Sequence, residues 1–361
     1  MSQRPNSAPL VDREVRIADR VVFVGGQPGC GKTMLTPIIG SLDRVEIQKF
    51  NYPIEHICTL HYLGKISDDV AATMVRMLAD LDLYNLMMSR EVNFRPSDLS
   101  SVFRNAKPWR YFRRAFQAGD EAVMPRIRDG RPVLNLVMHD LLMRSKALFL
   151  GLGDRMTLVE LVRHPLYMIK QWMKNVEQFY DDKTGDRDYP RDFSLRIQDG
   201  SKLIPWWALG IEDAYHLKNP MDKTIYAIKH HREKSDEAYK GLSTEERTRV
   251  VRVSFEKFVL DPMPDLKHIA AALGTAIGGA TLRAMKKQNV PRRMIADGIA
   301  LPIYKRYGWV PPQKGSTERQ ELESRRAWAA KQASPQALEI LDRISAEYEA
   351  NYMKEILDGR S

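Results

Sequence analysis

The chain has 361 residues, 43% of them hydrophobic, and its 56 lysines and arginines against 46 aspartates and glutamates give a formal charge of +10. That length suffices for one elaborated domain or two, and the charge suits anionic ligands without demanding nucleic acid. No apolar run approaches the roughly 18 residues that a membrane-spanning helix needs.

Cys30 and Cys58, the two cysteines of the chain, argue against a disulfide framework and against zinc. Met1 to Ala8 is polar and carries no apolar signal core. The expected location is the cytoplasm. Internal repeats and long low-complexity tracts are missing from the sequence.

Residues 1–19 are expected to be a flexible start. Arg20 to Gly25 predicts a buried strand and Lys32 to Ile39 a helix, with Pro37 placed early in it. Between them runs Gly26-Gln27-Pro28-Gly29-Cys30-Gly31-Lys32-Thr33, which satisfies G-x-x-x-x-G-K-[ST]. Glycine conformations let successive N–H groups face one anion, the helix N-terminus adds partial positive charge, Lys32 a cation and Thr33 a hydroxyl. The loop does not say which nucleotide carries the phosphate.

Asp43 to Phe50 predicts a second strand. Glu55, His56 and His61 follow, either acid–base groups or surface residues. Ser67-Asp68-Asp69 reads as a helix start, and Val70, Met74, Met77, Leu78 and Leu81 recur at helical spacing, which predicts a methionine-rich core face. From Asn93 to Phe116 arginines alternate with aromatics. Such a segment either grips an anionic or sugar-like acceptor or is a half-exposed helix.

Pro132 to Met138 predicts a strand that delivers His139 and Asp140 at its carboxyl end, where open α/β sheets place ligands. Met156 to Val162 predicts another, ending in Arg163-His164-Pro165, with Pro165 opening a helix. Asp181 to Gly200 reads as a charged, exposed insertion, Pro205 to Lys240 as helical and Thr248 to Ser254 as a last strand. The segment Lys286 to Arg306 is basic around Gly298, and Ala333 to Tyr352 closes the chain as an amphipathic helix. Apolar strands separated by helices predict an α/β three-layer sandwich around a mainly parallel sheet.

The phosphate loop, Val162-Arg163-His164-Pro165, and Val253 to Pro262 leading into His268-Ile269-Ala270-Ala271-Ala272-Leu273-Gly274 together resemble the sulfotransferase family. Leu338 to Tyr348 resembles that family's closing helix. The resemblance covers roughly residues 20–350, with little from 45–130 and 180–245. It implies a single P-loop domain over 20–352, helical insertions near 65–130 and 180–245, and a tail at 353–361.

It implies also that the donor is 3′-phosphoadenosine 5′-phosphosulfate (PAPS), leaving PAP, with no metal. Gly26, Gln27, Pro28, Gly29, Cys30, Gly31, Lys32 and Thr33 then hold the 5′-phosphosulfate, and Arg163 the 3′-phosphate. Gln171 stands where the family commonly has a serine, and Arg292 and Arg293 correspond loosely to a second 3′-phosphate element. His139 matches the catalytic base of many members, with Glu55 or Glu46 the alternatives and Lys32 stabilising charge on the leaving phosphate. The acceptor is a hydroxyl or amine on a sugar, lipid headgroup or small phenol, with no nucleic acid or membrane span involved.

The loop departs from the common family pattern, since it is a full Walker A sequence. A magnesium- and ATP-dependent kinase or NTPase therefore stays open, with Asp140 as its metal-holding carboxylate. So does a nucleotide-binding module without catalysis.

Overall fold

The computed structural model describes residues 9–180, 194–217, 219–300, 304–305 and 309–358. Five strands form a wholly parallel sheet: β1 (Arg20–Gly25), β2 (Lys49–Phe50), β3 (Val133–Val137), β4 (Met156–Val162) and, after the separate hairpin β5 (Arg196–Asp199) and β6 (Lys202–Pro205), β7 (Val250–Ser254). Their spatial order is β2-β3-β1-β4-β7. β1 is therefore central, with Val24 opposite Val137 of β3 and Val159 of β4.

Side chains alternate across a strand, so each strand feeds two cores. Val22, Val24, Val159, Leu161 and Val253 join one. Val21, Phe23, Leu136, Leu158 and Val250 join the other. Strands buried on both faces read as continuous apolar runs, which is why β1 and β4 are legible.

The helices that matter for the site are α1 (Lys32–Ile39), α2 (Tyr52–Tyr62), α3 (Asp68–Leu86), α4 (Pro108–Ala115), α5 (Asp120–Gly130), α6 (Lys146–Leu152) and α7 (Pro165–Tyr180). They are followed by α8 (Glu212–Tyr215), α9 (Pro220–Gly241), α10 (Thr244–Arg247), α11 (Phe255–Leu260), α12 (Met263–Ala272), α13 (Gly279–Lys287), α14 (Glu318–Ala330) and α15 (Pro335–Tyr348). No helix among the described residues is long and apolar enough to cross a membrane.

Three expectations need correction. The second strand is cut to Lys49–Phe50 with one bridge at Val45, because the Ile47 N–H bonds the Tyr111 hydroxyl at 2.6 Å rather than β3. On α3 the buried stripe is Ala71, Val75, Ala79, Leu83 and Leu86, while Met77 and Leu81 are exposed. Small residues win there because α6 packs closely: a Cβ on Gly151 would sit 2.9 Å from the Ala72 carbonyl oxygen. Pro37 stands sixth of the eight residues of α1, in its last turn.

At the start of the chain, residues 1–8 lie outside the described residues; beyond them the Val11 amide bonds Asp69 of α3, and the amides of Ile17 and Ala18 bond its buried Asp80. Of the expected insertion 181–200, residues 181–193 lie outside the described residues, as do 301–303 and 306 of the late basic stretch, the two residues after it, and 359–361 of the tail. Pro205 to Lys240 is broken into α8 and α9 with a short turn before them.

Candidate nucleotide and acceptor site

Three adjacent strands, β3, β1 and β4, end at one edge of the sheet and deliver His139, the glycine-rich loop and Arg163 to the same cleft of about 420 Å³. A change of winding direction at a parallel sheet opens such a crevice at the carboxyl ends. Pro28, Gly29, Gly31, Lys32, Thr33 and Gln171 line it as well.

The loop's shape depends on glycine at two positions. Gly26 has φ 126° and a Cβ there would meet the Leu161 carbonyl oxygen at 2.4 Å; Gly31 has φ 107° and a Cβ would strike the Phe255 ring at 2.4 Å. Gly31 caps α1 at its N-terminus, whose first amides have no intrahelical acceptor and so are free to receive an anion. The Lys32 ammonium bonds the carbonyls of Gly26 and Gln27. Cys30 is buried, and burial pushes its thiol up.

Arg163 donates to the Gly29 carbonyl at 2.8 Å, and its guanidinium lies 4.0 Å from the Phe255 ring centroid and 5.3 Å from that of Tyr167. On Phe255 it is joined by Arg292, at 5.4 Å. Burial, then the Arg163 charge, lowers the Arg292 guanidinium to about 10. The Arg163 Nε is buried without a partner. Two guanidinia sharing one ring beside Gln171, Lys170 and Arg325 line a recess of about 90 Å³ next to the loop. Such an arrangement asks for an anion.

Arg293, also expected here, is exposed and lines neither cavity. His164 is structural: its Nδ1 accepts from the Leu166 amide at 3.2 Å and its Nε2 lies 3.1 Å from Glu349. It locks the start of α7 to the turn after α15.

His139 is partly exposed in the cleft, and its Nδ1 lies 3.5 Å from Oε2 of Glu55 on α2, which also accepts the His139 amide at 3.3 Å. Arg144 pairs with the other Glu55 oxygen at 3.2 Å. Burial opposes charge on Glu55, but His139 and Arg144 outweigh it and bring its carboxyl down to about 2. Glu55 is therefore an anion held beside the imidazole. Two residues that the sequence offers as rival bases are partners.

Glu46, the other alternative, is excluded by its surroundings: it is buried between Arg110 at 3.2 Å, Arg114 at 2.7 Å and the Tyr111 hydroxyl at 2.9 Å. Three residues of the arginine and aromatic segment, Arg110, Tyr111 and Arg114, are spent on that cluster. Two others, Phe103 and Arg104, line the cleft together with Phe50 and Lys287. His61 pairs with Asp68 at 2.7 Å, and neither it nor His56 lines the cleft.

Asp140 is buried off the cleft, with its Oδ1 3.0 Å from Nδ1 of His231 but out of line for a hydrogen bond. No cluster of three or more metal-ligating side chains occurs among the described residues. Arg144, Phe255, Tyr304 and Gln288 are site residues that sequence reading does not find; Phe255 lies in the quoted Val253 to Pro262 stretch without any sign that its ring is a platform.

No family model matches the chain, and no curated protein matches it. Three solved structures similar to it are sulfotransferases. The sulfotransferase domain from the curacin biosynthetic pathway is 11% identical over 85% of this chain and 97% of its own, with a TM-score of 0.39. The sulfotransferase domain of the Synechococcus PCC 7002 olefin synthase is 15% identical over 91% and 100%, with a TM-score of 0.39. Sulfotransferase STF9 from Mycobacterium avium is 14% identical over 93% and 77%, again with a TM-score of 0.39. At these scores they decide nothing about the chemistry, and the α/β fold stands on the chain's own parallel sheet.

Proposed function

We propose that this chain is a cytoplasmic sulfotransferase that moves a sulfuryl group from PAPS to a hydroxyl or amine. The observation that carries the reading is the recess on Phe255, where Arg163 and Arg292 converge beside the glycine-rich loop with a buried, unpartnered Nε. A nucleotide with a second, ribose-borne phosphate fills both anion sites at once. A triphosphate on an unmodified ribose fills the loop alone. The two buried, unpaired cysteines suit a reducing compartment.

In this reading the loop amides and Lys32 hold the 5′-phosphosulfate, and Arg163, Arg292 and Gln171 hold the 3′-phosphate. The donor supplies a sulfur atom open to in-line attack. His139, fixed by Glu55, accepts the proton of the acceptor group as its oxygen or nitrogen bonds sulfur. Lys32 and the amides of α1 stabilise the charge gathered by the phosphate oxygen as its bond to sulfur breaks. The proton passes from His139 to solvent, and no covalent enzyme intermediate is required.

The test is thermal stabilisation by PAP against ATP with magnesium. PAP should raise the melting temperature, since a ligand at a hundred times its Kd adds about 2.7 kcal/mol, and Arg163→Ala should abolish the rise. Stabilisation by magnesium ATP with indifference to PAP would overturn the reading.

A further inference from the structure

On the other side of the glycine-rich loop lies a second cavity, of about 350 Å³, bounded by β4, α9 and the turn after α15. Its lining shares only Arg163 with the donor cleft. Exposed Lys240, Glu347 and Asn351 stand on its lining, which gives it a mouth to solvent. The volume falls in the range of small-molecule pockets.

Its polar groups are left unsatisfied in an unusual concentration. Glu160, 2% exposed, lines the cavity with Oε2 lacking any partner; Gln27 Oε1 and Arg252 Nε are in the same condition. Among the other charged groups of the lining, Arg252 pairs with Asp236 at 2.5 Å and Arg232 with Glu347 at 3.4 Å, Arg163 donates to the Gly29 carbonyl, and Lys240 stands exposed at the mouth. Among the described residues Glu160 has no ion-pair partner and no hydrogen bond to Oε2, and leaving a buried polar group unsatisfied is costly.

We propose that this cavity is a binding site for a small organic amine, whose ammonium group pairs with Glu160 and donates to Gln27. A cation answers the acid, and an ammonium's several donors can serve both unpartnered acceptors of the lining. The lining includes Gln27 and Cys30 of the phosphate loop, so a ligand here would touch that loop.

Burial holds the Glu160 carboxyl protonated up to about 8, against Arg252 on β7 and Lys32 on α1, and with Asp140 after β3 and Asp236 on α9 reinforcing it. An ammonium ion that draws Glu160 into its charged form must therefore release one proton at neutral pH.

The test is calorimetric titration of the full chain, free of nucleotide, with butylamine, and with butanol and sodium butyrate as controls. Butylamine should bind with release of about one proton near pH 6.5 and almost none near pH 9.5, while the controls should not bind. Glu160→Gln should weaken binding about tenfold or more and remove the proton release. Should that variant not fold, Asn351→Trp at the exposed mouth should block the same binding. Absence of butylamine binding to the wild type, or unchanged binding with unchanged proton release in Glu160→Gln, would overturn the proposal. The donor reading is untouched by either result, because no nucleotide is present.

Discussion

Replacing Glu160 by glutamine keeps the side chain's shape and removes its ability to ionise. Burial raises the Glu160 carboxyl from its ordinary 4.5 to about 8, so between those values the folded chain holds a proton that the unfolded chain has lost. Folding stability therefore falls as pH rises through this window, the reverse of a salt-bridged carboxylate. Below 4.5 both states are protonated and the group is neutral in effect; above 8 its cost is at its maximum.

The shift corresponds to about 5 kcal/mol at that maximum, at ~1.4 kcal/mol per pH unit, and water entering the cavity reduces it toward about 2. Glu160→Gln should match the wild type near pH 4.5 and gain stability steadily up to about pH 8, then hold that gain. Urea unfolding of dialysed protein across this range, read as the difference between the two chains, measures it. A difference that stays flat with pH, or a variant less stable than the wild type at pH 8, would refute a carboxyl held neutral by its surroundings.

His139→Ala should lower turnover with PAPS by about 10²- to 10⁴-fold, the usual contribution of a general base, while leaving PAP affinity intact. The same substitution removes the first partner of Glu55. Stability that the wild type keeps above pH 4.5 and loses as pH falls toward 2 should then be smaller in the variant, which acid unfolding monitored by circular dichroism would detect. Gly31→Ala should cost about 1 to 3 kcal/mol, since alanine is strained at φ 107° and its methyl would displace Phe255. Its PAP affinity, read by titration, should fall more than its affinity for pyrophosphate, because Arg163 and Arg292 stack on the displaced ring.

What the sequence discloses follows the range of the forces involved. β1, α1 and β4 span the residues expected of them, because continuous apolar runs and a glycine-rich turn are local signals. The second strand fails where a hydroxyl 64 residues away takes the Ile47 amide. The α3 stripe fails because apolar size favours Met77 over Ala79, whereas close packing against α6 rewards the smaller residue. Within the cleft, Lys32 and Arg163 are visible as motif residues, but the pairing of Glu55 with His139 is a tertiary fact. So is the role of Arg144, which no pattern in its neighbourhood announces.

The kinase alternative turns on Asp140. It follows β3, the strand beside β1, and its amide bonds the Gly26 carbonyl at 3.2 Å, so its place in the chain is that of a metal-holding carboxylate. Its side chain tells otherwise. It is buried off the cleft against His231, whose ring is packed 4.9 Å from Trp172 and 5.5 Å from Trp207. Burial opposes its charge, yet His231, then Lys32 and Arg144, keep its carboxyl below the usual range. A carboxylate held this way serves the packing of α9 on the sheet and the charge balance of Lys32. Asp140→Asn should therefore destabilise folding by about 3 kcal/mol, the cost of removing a buried carboxylate that balances Lys32 and Arg144, and asparagine adds no strain at its φ of 44°. Turnover with PAPS should survive a chelator in both chains. If the substitution instead left stability unchanged and abolished a magnesium-dependent hydrolysis of ATP, Asp140 would be a metal ligand and the nucleotide a triphosphate.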